Sequence, residues 1–201
     1  MLYIIRHGQT DFNRDGIAQG QLNDPVLTEK GRRQILKVAE YLSKKGIKFD
    51  QAISSDLQRA TQSLEIIQKN IHISKISFDK NLRENDQGEL NGQSYESEKW
   101  KKYQELLSNG EIKFPIFSPP PESPVKIRDR VLRFFKKIPL SENILVVTHA
   151  GIIRNYLAIL KNITLEDYLT SKRHELNVDN GDLIVVNLNT KEVDVIRIDN
   201  I

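Results

Sequence analysis

LYIIRHG, residues 2–8, is an uninterrupted apolar run that ends in an arginine, a histidine and a glycine. Four apolar residues with β-branched members are too few for a buried helix and fit a central strand covered on both faces. Neighbouring side chains on a strand point to opposite faces, so Arg6 and His7 can serve one ligand only where the strand is ending. Gly8 permits that ending, because glycine can turn through conformations closed to other residues. A second stretch, VVTHAG at 146–151, repeats the pattern of YIIRHG at 3–8: apolar strand, histidine, small residues, turn. If the two strands run parallel in one sheet, His7 and His149 emerge at the same carboxyl edge. Open α/β sheets bind ligands at that edge.

The surrounding chain alternates strand and helix. LTEKGRRQILKVAEYLSKKG at 27–46 predicts a helix capped by Thr28, with Ile35, Val38, Ala39 and Leu42 on one face and Gly46 as its stop. DQAISS at 50–55 predicts a short strand, followed by a helix over 55–70 in which Ser55 and Gln58 stand at capping-box spacing. SKISFD at 74–79 is a third strand, VKIRDRVLRFFKKI at 125–138 an amphipathic helix, NILVVTH at 143–149 a strand and GIIRNYLAIL at 151–160 a helix. DLIVVNL and EVDVIRI, joined by NTK at 189–191, close the chain as a hairpin. These elements predict a three-layer α/β/α sandwich: a mostly parallel central sheet with an antiparallel edge, in one domain spanning 1–201. Residues 85–125 interrupt the pattern with polar loops, a helix around SEKWKKYQELLSNG, and FPIFSPPPESP, whose prolines argue against a regular element across 119–124. Long irregular segments in compact domains are usually functional or disordered, and this one reads as a lid-like insertion over a cleft that sets substrate specificity.

Composition narrows the function. The chain has 201 residues, 38% hydrophobic and 28% charged, a soluble globular profile. A net charge of +3, with no basic run interleaved with aromatics, gives no reason to expect nucleic acid. The absence of cysteine excludes disulfides, thiolate metal sites and cysteine nucleophiles. No apolar stretch is long enough to cross a membrane, and the N-terminal apolar run is too short for a signal peptide, so a cytoplasmic location is expected. The late hairpin exposes an edge through which two copies could pair as a homodimer.

The strand QAISS ends at the same edge, and the helix after it carries Arg59 in its first turn. Two arginines and two histidines from three segments therefore converge. Cations packed together repel, and an anion with several oxygens relieves the repulsion. A phosphoryl group fits best, because each guanidinium fork donates two parallel hydrogen bonds to such oxygens. His7, His72, His149 and His174 show no metal-ligand spacing, and adjacent arginines would repel a cation, so no metal is expected. A histidine among arginines is kept neutral by like charge, and neutral imidazole is a competent nucleophile toward phosphorus. The leaving oxygen needs an acid. NLRENDQGELNG at 81–92 offers Glu84, Asp86 and Glu89, of which Glu84 lies closest to the preceding strand end.

RHGQTDFN at 6–13, SSDLQRA at 54–60, LRE at 82–84 and VVTHAG at 146–151 together resemble the histidine phosphatase superfamily, in its phosphoglycerate mutase-like branch. Four motifs in register over nearly the whole chain are far more specific than RHG alone. The resemblance implies that His7 becomes a phosphohistidine, that Arg6, Arg59 and His149 hold the phosphoryl oxygens with Ala150 beside them, and that Glu84 donates the proton and then activates water. Asn13 matches a phosphate-contacting asparagine, and Gln19 and Gly20 match a loop that closes the pocket. Glu122 and Ser123, with Arg130 eight residues after Glu122, resemble a GES-and-arginine stretch, with Pro121 in the place of its glycine. The chain lacks the ERHYG-type signature of cofactor-dependent mutases and the RHGxRxP form of the acid phosphatases. The implied activity is hydrolysis of small-molecule phosphomonoesters without metal or cofactor. A phosphoglycerate mutase and a phospho-ligand binding module that has lost catalysis are the alternatives.

Overall fold

The apolar runs form strands β1 (Leu2–Arg6), β2 (Gln51–Ser54), β3 (Ile76–Phe78), β4 (Ile144–Thr148), β5 (Leu183–Val186) and β6 (Val193–Ile196) in a computed structural model that describes residues 1–198. The last residues of the expected domain, 199–201, lie outside the described residues. The helices are α1 (Asp11–Arg14), α2 (Glu29–Lys44), α3 (Gln58–Gln68), α4 (Glu98–Ser108), α5 (Pro124–Phe135), α6 (Ala150–Leu160) and α7 (Leu165–Thr170), and 3-10 turns stand at Lys80–Leu82, Gly88–Leu90 and Lys172–Leu176.

One six-stranded sheet runs in the order β3-β2-β4-β1-β5-β6. β3, β2, β4 and β1 are parallel; β5 pairs antiparallel with β1, and β6 antiparallel with β5. The continuous apolar character of β1 and β4 follows from coverage on both faces. Leu2, Ile4, Ile144 and Val146 pack with Val131, Phe134, Ile152 and Ile153 of α5 and α6. Tyr3, Ile5, Leu145 and Val147 face the other way, onto Ile35, Val38, Leu42, Leu64 and Ile67 of α2 and α3. The α/β/α sandwich with an antiparallel edge is therefore as expected. Among the described residues no helix is long and apolar enough to cross a membrane.

Local chemistry departs from expectation in three places. No side chain of its own segment caps α3: Leu57 is the N-cap residue, and Asn23 of a distant loop accepts from the Gln58 amide at 2.8 Å. Ser55 instead turns its hydroxyl to His149. Pro124, assigned above to an irregular stretch, is the first residue of α5, with Ser123 as its N-cap; a missing N–H costs nothing at that position. Gly8 does not have a left-handed φ; it is required because a Cβ there would lie 2.3 Å from the Gly31 carbonyl oxygen of α2.

Residues 85–125 are anchored to the main core. Tyr103, Leu107, Phe114 and Phe117 are buried in the same cluster as β1 and α6. Two backbone bonds, from Glu89 to Pro119 and from Glu122 to Asp86, tie the two arms of the segment together.

Candidate active site

The parallel register sets Arg6 of β1 beside Thr148 of β4, so the next residue of each strand is a histidine. The His7 amide continues the ladder to the Thr148 carbonyl at 3.0 Å. The two imidazole centroids are 5.1 Å apart, and both rings are buried. His7 Nδ1 lies 2.8 Å from the Gly8 carbonyl oxygen. A carbonyl can only accept, so Nδ1 carries the proton and Nε2 keeps its lone pair. Burial first, and then the charges of Arg59 and Arg6, hold His7 well below its ordinary 6.5, which leaves the ring neutral. His149 is lowered in the same way, by burial, Arg59, His7 and more distant arginines.

A cavity of ≈ 290 Å³ stands at this edge, and Arg6, His7, Asn13, Gln19, Gly20, Glu84 and Ala150 of the expected residues line it. Arg6 donates to the Val178 carbonyl at 2.6 Å. Asn13 accepts from Thr10 and from Asn180 Nδ2 through its Oδ1, which leaves its own Nδ2 without a partner among the described residues. Gln19 Oε1 is buried and also unpartnered.

Arg59 and His149 lie behind this wall rather than on it. The Arg59 terminal nitrogens donate to the Gly20 and Leu22 carbonyls at 2.7 and 2.9 Å, pinning the loop, while its Nε has no partner. Burial brings its pKa down to about 10, opposed by the Glu84 charge, so it stays cationic at neutral pH. Gly20, at φ +46°, makes the turn that presents its carbonyl to Arg59. His149 Nε2 is 2.8 Å from Ser55 Oγ, and its Nδ1 is buried and unpartnered.

Glu84 is built in from several sides. Its carboxylate accepts from the amides of Asn85 at 2.8 Å and Gly151 at 3.1 Å. Its carbonyl accepts from Gln21 Nε2 and from Arg130. Arg130 also gathers the carbonyls of Asn81 and Arg83 at 2.7 Å each, and its fork meets Glu122 at 2.8 and 2.9 Å. The Glu122–Arg130 pair thus fixes the backbone that carries Glu84. Asp86, the substitute acid, is not on the cavity wall: its Oδ1 accepts from the Gly88 amide and Asn91 Nδ2, which shapes the loop. Glu89 pairs with Lys99 at 2.8 Å, also off the wall. His72 and His174 are exposed, and neither lines the cavity.

Sequence reasoning missed several residues. Asn85, Gln87, Tyr95, Arg154 and Arg173 line the cavity, as does Trp100 of α4. Asn180 donates to both the His7 carbonyl at 3.0 Å and Asn13 Oδ1 at 3.1 Å. The only forward signal for Arg154 was its place four residues after Ala150, one turn along the same helix face. Among the described residues, no group of three or more His, Asp or Glu side chains stands where it could hold a metal ion.

A 2,3-bisphosphoglycerate-dependent phosphoglycerate mutase of Parvibaculum lavamentivorans is 29% identical over 198 residues, covering 95% of this chain and 91% of its own. A broad-specificity phosphatase of Saccharomyces cerevisiae is 30% identical over 213 residues, covering 99% of this chain and 85% of its own. The crystal structure of a phosphoglycerate mutase from Thermus thermophilus matches with a TM-score of 0.70 at 28% identity, over 96% of this chain and 95% of that one. The family model for the histidine phosphatase superfamily (branch 1) matches residues 2–201, and the chain belongs to that superfamily.

Proposed function

We propose that the protein is a metal-independent phosphatase that hydrolyses small-molecule phosphomonoesters through a phosphohistidine on His7. The observation that carries this reading is the His7 Nδ1 bond to the Gly8 carbonyl, which leaves the Nε2 lone pair as the free nucleophile in a cavity that also holds Arg6 and Glu84. Nε2 attacks phosphorus, the ester P–O bond breaks, and Glu84 gives its proton to the leaving oxygen. Water then attacks the phosphohistidine, Glu84 takes the water's proton, the N–P bond breaks, and phosphate leaves with neutral His7 restored. Arg6 and Asn13 Nδ2 hold the phosphoryl oxygens from the wall. Arg59 and His149 supply positive potential and a donor from behind, where field effects on developing charge are strongest because water is excluded. Residues 85–100 of the inserted segment form the wall that meets the leaving group and select the substrate.

The test is hydrolysis of an aryl phosphate, with chelator present, by the wild type and by His7→Ala. Chelator-resistant turnover that falls by at least about 10³-fold in the variant is expected. Turnover that survives the substitution overturns the phosphohistidine. A phosphoglycerate mutase is the second reading, favoured by the likeness to the Parvibaculum enzyme. It would show phosphoglycerate isomerisation that depends on a bisphosphorylated primer, with aryl phosphate hydrolysis weak or absent.

A further inference from the structure

The turn that leads into β5 comes from late in the chain and meets the end of β1 at several points. The Val178 carbonyl accepts from the Arg6 guanidinium at 2.6 Å. The Gly181 amide donates to the Arg6 carbonyl, and the Arg6 amide to the Asp182 carbonyl, each at 3.2 Å. Gly181, at φ +84°, allows the turn, and the buried Asp182 carboxylate pairs with Arg197. Asn180 stands in the middle of this turn. It is half-buried and does not line the cavity, so any effect it has on a bound phosphoryl group passes through another residue.

The orientation of two amides follows from which of their partners can only accept or only donate. A carbonyl oxygen only accepts, so the Asn180 atom 3.0 Å from the His7 carbonyl is Nδ2. The second proton of that nitrogen is directed to Asn13 at 3.1 Å, so Asn13 presents Oδ1 there. The Thr10 amide, which only donates, meets the same Oδ1 at 3.2 Å. With Oδ1 turned toward the protein, Asn13 Nδ2 is left for the cavity that Asn13 lines. The reversed amide would offer an oxygen to the oxygens of a phosphoryl group. Asn180 also holds the His7–Gly8 peptide by its carbonyl, while Ser63 Oγ accepts from the N–H of that peptide at 3.2 Å. The peptide that carries the nucleophile is thus clamped at both of its polar ends.

We propose that Asn180 is a positioning residue for phosphoryl transfer: its one amide nitrogen fixes which face of Asn13 meets the phosphoryl oxygens and holds the peptide that carries His7. This deepens the reading of the His7 cavity as a phosphomonoester site and rests on it.

The test is a double-mutant cycle, read by kcat/KM for an aryl phosphate and by calorimetric binding of inorganic phosphate. Asn180→Ala and Asn180→Asp are each made in the wild type and in Asn13→Ala. Asn180→Asp keeps the shape of the side chain but sets an oxygen against two acceptors, and so favours the reversed Asn13 amide. A side chain that only filled the turn would tolerate Asn180→Asp better than Asn180→Ala. In the wild-type background Asn180→Ala is expected to lower kcat/KM about tenfold and Asn180→Asp about 10²-fold, with phosphate binding weakened in the same order. In the Asn13→Ala background the two variants are expected to lie within about threefold of each other. Asn180→Ala as damaging as Asn180→Asp in the wild-type background overturns the positioning role alone. So does a deficit of Asn180→Asp that persists without the Asn13 side chain, since it would report the added charge acting directly on phosphate. Wild type that neither hydrolyses the aryl phosphate nor binds inorganic phosphate overturns the phosphomonoester reading and the positioning role with it.

Discussion

Gly151 is the residue on which the reach of Glu84 depends. A Cβ at that position would lie 2.2 Å from Glu84 Oε1. The carboxylate is the flexible end of a side chain and would yield, so the clash should displace the acid rather than break the fold. Alanine also favours a helix over glycine by about 1 kcal/mol, and Gly151 lies in α6. Gly151→Ala is therefore expected to leave the urea midpoint unchanged or raised while lowering kcat about 10²-fold, as an ångström-scale misplacement can. Parallel unfolding and steady-state measurements check it, and unchanged kcat would separate Glu84 from the chemistry. Ser55 shows the same economy of position. Its hydroxyl accepts from the Leu57 amide at 3.3 Å, so its proton is free for His149 Nε2.

At the scale of elements, the site is held by connections between segments far apart in the chain. Arg130 of α5 gathers three carbonyls of 81–84 and pairs with Glu122, and this bundle is nearly dry: the two side chains are 9% and 15% exposed. Removing one partner of such a pair strands the other charge. Arg130→Met is expected to cost about 3–5 kcal/mol of stability by urea unfolding, and to lower activity by releasing the backbone of Glu84. Loss of stability without loss of activity would show that the 81–84 backbone is held adequately by other contacts. The Gly8–Gly31 approach is a second such connection, since it lets the end of β1 and the start of α2 lie against each other without side chains between them. The RHG motif thus has a packing reason as well as a chemical one.

Across the whole molecule, the buried histidines tie stability to pH. His7 and His149 are held neutral in the folded protein, well below 6.5, whereas in the unfolded chain each titrates near its ordinary value of about 6.5. Above that value neither state is protonated and the full stability is present. As pH falls below it, the unfolded chain takes up protons that the folded chain refuses. Stability is then lost, by about 1.4 kcal/mol per pH unit for each histidine until the folded values are reached. Urea unfolding at pH 7.5, 6.5 and 5.5 should show a flat upper interval and a falling lower one. A flat profile throughout would mean that the folded imidazoles protonate as readily as unfolded ones.

The local sequence determined much of this protein. The apolar runs of β1 and β4, uninterrupted because both faces are covered, specify the sheet, and the amphipathic periods of α2 and α5 specify its two outer layers. The paired strand endings set His7 beside His149, because parallel register follows from strand length and direction. Caps and starts that depend on a single neighbour were also legible, as at Thr28, which accepts from the Gly31 amide at 3.0 Å. What only the tertiary structure decided involves partners distant in sequence. Asn23 caps α3 from 35 residues away, Asn180 reaches back 173 residues to the His7 carbonyl, and Arg154 and Arg173 line one cavity from two separate elements. Periodicity and spacing encode which face of an element is buried. They do not encode which polar groups of different elements face one another, because that depends on how the layers pack.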